Sequence, residues 1–210
     1  MLFSSYTFIL IFLPVVLSGF YLLQGRGMRR AGIGWLVAAS LLYFGWWKPE
    51  YLLLLGLSIV ANFALGMGIA RASESSAGRA KLITTLGIVF NLALLGWYKY
   101  ANFFVDTVNT VASTSWTLEK IILPIGISFF TFQQVAYLVD VFKGKAREYR
   151  FLDYLLFVTF FPQLIAGPIV HHEEMLPQFM DDEKRASSRD LAIGLTIFAI
   201  GLFKKTVFAD

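Results

Sequence analysis

The feature that most restricts the fold of this chain is the grouping of its apolar residues. They come in blocks near twenty residues long, separated by short charged connectors. A block of that length crosses the hydrocarbon core of a bilayer as a helix, because a helix satisfies every backbone polar group internally. Core helices of soluble proteins carry a narrower apolar stripe of period 3.6 instead. The residue balance agrees: 57% of the 210 residues are hydrophobic, 15% are charged, and 21 are phenylalanine, more apolar surface than a soluble domain can cover. The expected fold class is all-α, a polytopic helical membrane protein. At about 30 residues per span and connector, the chain supplies about six or seven membrane segments.

The chain contains no cysteine, which excludes disulfides, thiolate metal sites, a cysteine nucleophile and palmitoylcysteine. The net charge of +4 does not point to nucleic acid, because the excess Lys and Arg sit in the short connectors. There they report topology, and the partner they imply is the lipid bilayer. Residues 1–5 lack a positive n-region and the run from Tyr6 to Leu23 exceeds a signal-peptide core, so the N-terminus reads as a retained first helix.

Segment one covers residues 5–23, with a modest kink expected at Pro14. Segment two covers 33–47 and ends in Tyr43, Trp46 and Trp47, followed by a tight turn at Lys48-Pro49-Glu50. Segment three, 51–70, places Ser58, Asn62, Gly66 and Ala70 at four-residue spacing, a stripe that lets two helices approach closely. Segment four, 82–98, contains Asn91 and ends in the aromatic belt Trp97, Tyr98 and Tyr100. Residues 101–120 are less apolar, with Phe103, Phe104 and Val108 opposite Asn102, Asp106 and Asn109, and predict an interfacial amphipathic helix lying on the outer surface. Segment five is 123–142. Segment six, 151–170, holds Pro162, Gly167 and Pro168, too many breakers for one straight span, and predicts a broken or re-entrant segment. Segment seven is 191–208. The connectors carrying Arg29, Arg79 and Lys145 are basic and alternate with ones that are not, which predicts them cytoplasmic and the N-terminus outside.

Segment five combines membrane length with Gln133, Gln134, Tyr137 and Asp140. At 100° per residue, Gly126, Phe130, Gln133, Tyr137 and Asp140 form one stripe, with Phe129, Phe132, Val135 and Leu138 turned elsewhere. An unpaired amide or carboxylate in hydrocarbon costs several kcal/mol, so this stripe must face other helices or a water-filled path. Gln133, Tyr137 and Asp140, with Pro168 from the broken segment, are the candidate lining of a substrate path; interhelical hydrogen bonding is the other role open to them. The only histidines, His171 and His172 beside Glu173 and Glu174, are adjacent and form no H-E-x-x-H, so they read as surface residues and not as a metal site.

Three blocks carry a further signal: WYKYANFF at 97–104, LPIGISFFTFQQVAYLVDVFKG at 123–144 and FFPQLIAGPIVHHEEMLPQ at 160–178. They resemble the motif blocks of the membrane-bound O-acyltransferase family, in the bacterial branch that includes the alginate O-acetylation protein, and MLFSSYTFILIFLP at 1–14 is similar to that branch as well. The resemblance implies a bacterial inner-membrane, multi-pass enzyme. It would pass an acyl group, expected to be acetyl, from a cytoplasmic donor to a hydroxyl of an exported polysaccharide such as alginate. The donor would be acetyl-CoA or another acyl carrier, no bound cofactor is implied, and a periplasmic acetyltransferase is the implied partner. D-alanyl transfer to teichoic acid is the variant within the family. The family's key histidine lies downstream of the third block, beyond Asp210, so no catalytic residue is assigned in this chain. Residues 1–210 are accordingly expected to form a single membrane domain, the N-terminal portion of a larger one, inactive alone. A polar stripe beside a broken segment also suits a transporter or flippase, and a scaffold subunit that docks a partner is a third reading.

Overall fold

The computed structural model describes residues 2–46, 48–119, 121–146, 150–164, 167, 175, 177–179 and 187–209, and every regular element among them is helical. A π-helical turn, Phe8–Phe12, leads into α1, Leu13–Gly25. Pro14 cannot donate to the preceding turn, and the mismatch is absorbed just before it, where the Leu13 N–H reaches back five residues to the Phe8 carbonyl. Next come α2, Arg29–Gly45, α3, Glu50–Ser75, and α4, Ala77–Ala112. Only Ser76 separates α3 from α4, and its hydroxyl caps α4 by accepting from the Arg79 N–H. The remaining helices are α5, Ile127–Phe142, α6, Phe151–Thr159, α7, Phe161–Leu164, and α8, Ser188–Phe203, which continues as π-helical turns to Ala209.

Among the described residues, four helices are long and apolar enough to cross a membrane: Phe8–Gly25, Glu50–Ser75, Ala77–Ala112 and Ser188–Phe208. Helices α3, α4 and α5 pack against one another, while α2 packs against α1, α6 and α7. Outward-facing Leu53, Leu57 and Val60 on α3 and Leu82, Leu86 and Val89 on α4 are exposed, a surface that lipid tails would solvate. α8 buries none of its residues.

Two expectations are corrected here. No separate interfacial helix forms over 101–120. Between Tyr98 and Ala112 there is no Gly or Pro to interrupt the hydrogen-bond ladder, so α4 runs through as 36 residues, about 54 Å at about 1.5 Å per residue. That exceeds a hydrocarbon core of about 30 Å, and the polar residues of its last turns receive the returning chain instead. Ser113 ends the helix in the left-handed region (φ 49°). The Asn109 side chain then accepts from the Trp116 N–H (2.9 Å) and donates to the Trp116 carbonyl (2.8 Å), and Asn102 donates to the Ile121 carbonyl (3.2 Å).

The second correction concerns α5, which starts at Ile127 and not at residue 123. Pro124 breaks the run, and Gly126 sits outside the helix as its N-cap at φ 72°. A Cβ there would also stand 2.8 Å from the Leu164 carbonyl, so glycine is required twice over. At the other end Gly144, again at φ 72°, closes α5. The Lys145 N–H donates to the Asp140 carbonyl (2.8 Å) and the Gly144 N–H to that of Val141 (3.0 Å), the pairing of a Schellman cap.

Candidate functional site

The polar residues of α3, α4 and α5 converge on one buried crossing. Ser58, Asn62 and Gly66 line the inner face of α3, as their spacing predicts, and the three are buried. Glycine at 66 and at Gly87 of α4 admits large neighbours: a Cβ on Gly66 would stand 2.7 Å from the Tyr137 hydroxyl, and one on Gly87 2.6 Å from Leu138 Cδ1. The resulting close approach brings amides within reach of each other. Asn62 Nδ2 donates to Asn91 Oδ1 (3.1 Å) and Asn91 Nδ2 returns a bond to Asn62 Oδ1 (2.6 Å), a reciprocal amide pair between α3 and α4. Gln134 of α5 joins them, its Oε1 accepting from Asn62 Nδ2 and from the Ser58 hydroxyl (3.0 Å). Asn62, Asn91 and Gln134 have no accessible surface, so each bond is made away from water.

A second polar cluster repairs the broken helix. Pro162 cannot donate to Val158 and its ring would clash with that carbonyl, so α6 stops at Thr159 and the chain turns at Phe160 (ψ 108°). Pro162 then takes the second position of α7, where a missing N–H costs nothing. The turn separates the Phe161 N–H from the Phe157 carbonyl, which would pair in a continuous helix. Each finds a side chain instead: the Phe161 N–H donates to Ser40 Oγ of α2 (3.2 Å), and Gln133 Nε2 of α5 donates to the Phe157 carbonyl (2.6 Å). Irregular backbone persists at membrane depth only with such support.

Of the residues singled out from the sequence, Gln133, Tyr137 and Asp140 are all buried on α5. Gln133 holds the helix break. Tyr137 lies against Gly66, and its ring meets that of Tyr154 of α6 at 4.4 Å between centroids with the planes tilted by 42°. Asp140 contributes its carbonyl to the cap described above. The buried face is wider than a stripe, because Leu138, expected to turn elsewhere, is fully buried against Gly87, whereas Phe129 and Phe132 are exposed as expected. Pro168 and the group His171, His172, Glu173 and Glu174 lie outside the described residues.

Sequence reasoning missed Ser40 and Tyr154. A serine and a tyrosine inside apolar runs carry no signal of their own, since a helical hydroxyl can bond its own i−4 carbonyl, as Ser40 also does with Leu36 (2.7 Å). Among the buried polar atoms at these helices with no hydrogen-bond partner among the described residues are Thr131 Oγ1, Gln134 Nε2 and Tyr154 OH. They are neutral hydroxyl and amide groups, able to hold a carbonyl or hydroxyl of a bound molecule but not to act as a strong base.

The two ends of the bundle are chemically distinct. Arg29 and Arg30 meet Arg150 around one cavity, and Ser73 and Glu74 meet Gly144 and Ala146 around another, which gathers the three basic connectors at one end. At the other end the Tyr51 hydroxyl donates to the Ile122 carbonyl (2.5 Å), near Tyr98.

Residues 81–210 match the MBOAT, membrane-bound O-acyltransferase family. The whole chain aligns with the peptidoglycan O-acetyltransferase of Helicobacter pylori at 42% identity, covering 45% of that protein. It aligns with the probable alginate O-acetylase AlgI of Pseudomonas aeruginosa at 36% identity, covering 40% of it, and with the protein of the same name from Azotobacter vinelandii at 35%, covering 42%. The chain thus spans less than half the length of these relatives. No solved structure gave a significant match.

Proposed function

The chain belongs to the membrane-bound O-acyltransferase family, and from that premise we propose that it serves in transfer of an acetyl group to hydroxyls of a cell-envelope polysaccharide such as alginate or peptidoglycan. The observation that carries this reading is the alignment of the whole chain, at 42% and 36% identity, with two relatives that both bear O-acetyltransferase names. The same alignment favours transfer over transport. Residues 1–210 act in this reading as one membrane domain of the enzyme. It sits in the bacterial inner membrane with the N-terminus outside and the basic end of the bundle facing the cytoplasm, where acetyl-CoA or another acyl carrier supplies the group. A periplasmic acetyltransferase is the partner on the opposite side.

Within this scheme Gln133, Tyr137, Asp140 and Pro168 border the route of the acyl group. Two features support that placement: the α6 break that Gln133 braces, and the neutral polar atoms of Thr131, Gln134 and Tyr154 that no described side chain satisfies. The described polar groups are amides and hydroxyls, with the carboxylates of Asp140 and Asp153 toward the basic end, and the amides and hydroxyls are suited to holding a neutral ester. The test is genetic and chemical. Deleting the gene that encodes this chain should remove base-labile acetate from the cell-envelope glycan, measured by release at mild alkaline pH and mass spectrometry, and complementation should restore it. Wild-type ester acetate in the deletion strain would overturn the reading, and the glycan fraction that loses acetate identifies the acceptor.

A further inference from the structure

A groove of about 530 Å³ runs along the outer side of the α3–α4 hairpin, walled by Ala61, Ala64 and Gly68 of α3 and by Ile83, Leu86 and Phe90 of α4. Small side chains on one helix opposite large ones on the other hold it open: a Cβ added at Gly68 would still stand 3.9 Å from Ile83. Ala64, Leu86 and Phe90 are exposed. Every wall residue named is apolar, so the groove suits a hydrocarbon occupant. At the end nearest Ser76 the chemistry changes. At 100° per residue, Arg79 falls in the stripe of Ile83, Leu86 and Phe90, and Arg71 continues the line of Ala64 and Gly68. Both arginines are exposed, and neither side chain has a hydrogen bond or ion pair among the described residues. Glu74, the one acidic residue between Arg71 and Lys81, lines a different cavity beside Val141 and Gly144. Topology asks only that basic residues lie in the connector; it does not set two of them in register with an apolar groove.

The dimensions narrow the occupant. From Ala61 to Arg71 the helix rises about 15 Å at about 1.5 Å per residue, half of a hydrocarbon core of about 30 Å and therefore the depth of one leaflet. An apolar helix laid in the groove would cover its walls but offer the arginines no counter-charge. A phospholipid supplies both parts, since guanidinium groups bind phosphate oxygens through paired N–H donors and keep their charge at any physiological pH. Basic sites beside membrane helices hold acidic headgroups in this way. We propose that the α3–α4 groove binds one acidic phospholipid, with an acyl chain along Ala61 to Gly68 and the headgroup phosphate between Arg71 and Arg79. A zwitterionic headgroup offsets its phosphate with an ammonium group, so the site selects net negative lipids. It requires only that α3 and α4 span the bilayer and takes no part in acyl transfer.

The test is native mass spectrometry of the purified chain in detergent, titrated with phosphatidylglycerol or with phosphatidylcholine of the same acyl chains. Phosphatidylglycerol should be retained more tightly, and Arg71→Gln and Arg79→Gln should each weaken its retention about fivefold. Lys81→Gln removes an exposed charge of the same hairpin from the opposite face of α4 and should leave retention unchanged. Ala64→Leu fills the groove with both arginines in place and should also weaken retention of phosphatidylglycerol; it carries the comparison if an arginine variant loses helical circular dichroism. Equal retention of the two lipids, an equal loss in Lys81→Gln, or unchanged retention in Ala64→Leu overturns the proposal.

Discussion

Removing one amide from the reciprocal Asn62–Asn91 pair should destabilise the bundle by more than a buried polar-to-alanine change usually costs. Asn62→Ala deletes both bonds of the pair and the bonds to Gln134 and the Ser58 carbonyl. Interhelical hydrogen bonds in membranes average about 0.6 kcal/mol, so the pair alone accounts for about 1.2 kcal/mol. Asn91 Oδ1 is then left buried without its donor, which adds about 1 kcal/mol. The expected cost is about 2 kcal/mol. Asn91→Ala should cost a similar amount, because it strands Asn62 Oδ1 in the same way. In Asn62→Ala/Asn91→Ala neither orphan remains and the pair is lost once instead of twice, so the double variant should lose less than the sum of the singles by about 3 kcal/mol. The assay is unfolding of the purified chain by rising mole fraction of sodium dodecyl sulfate, followed by tryptophan fluorescence. Additive losses within about 0.3 kcal/mol would mean that the pair does not couple α3 to α4, and the hydrogen-bond account of this crossing would fail.

Three other outcomes follow from the packing and the charge pattern. Gly66→Ala should destabilise by about 1–3 kcal/mol in the same assay, since its Cβ would meet the Tyr137 ring at 2.7 Å, whereas Gly56→Ala on the same helix, with open space around it, should be neutral or stabilising; equal effects at the two positions would contradict the close α3–α5 contact. Gln133→Leu should leave membrane insertion intact, because leucine is favourable in a bilayer, but should loosen the α6 break and lower ester formation in cells; wild-type acetate on the glycan would free Gln133 from any part in the route. The absence of cysteine makes single reporters clean: cysteines at Arg29, Arg79 and Lys145 should be shielded from an impermeant maleimide in intact cells, and labelling of all three would reverse the proposed orientation.

Much of the architecture was legible because it rests on local chemistry. Apolar blocks predict helices at α1 to α5 and α8, four-residue spacing of Ser58, Asn62 and Gly66 predicts a close-packed face, and Pro162 predicts a break in segment six. Each follows from residue volume, backbone freedom or the need to satisfy polar groups in lipid, all of which act within a few residues. The end of α4 and the start of α5 were misjudged for a related reason. Amphipathic pattern reports which side of a helix meets water, not whether the helix has ended, so a sequence with no breaker after Tyr98 simply continued. Partners lay further out of reach. Ser58 bonds a glutamine 76 residues away and Ser40 meets the Phe161 N–H across 121 residues. Nor did spacing show that Leu138 would fill the space left by Gly87, or that Arg29 and Arg150 would share one cavity. Periodicity fixes a direction around each helix axis. Only the packing of one helix on another decides what stands in that direction, and there the hydrogen bonds and charges acquire their roles.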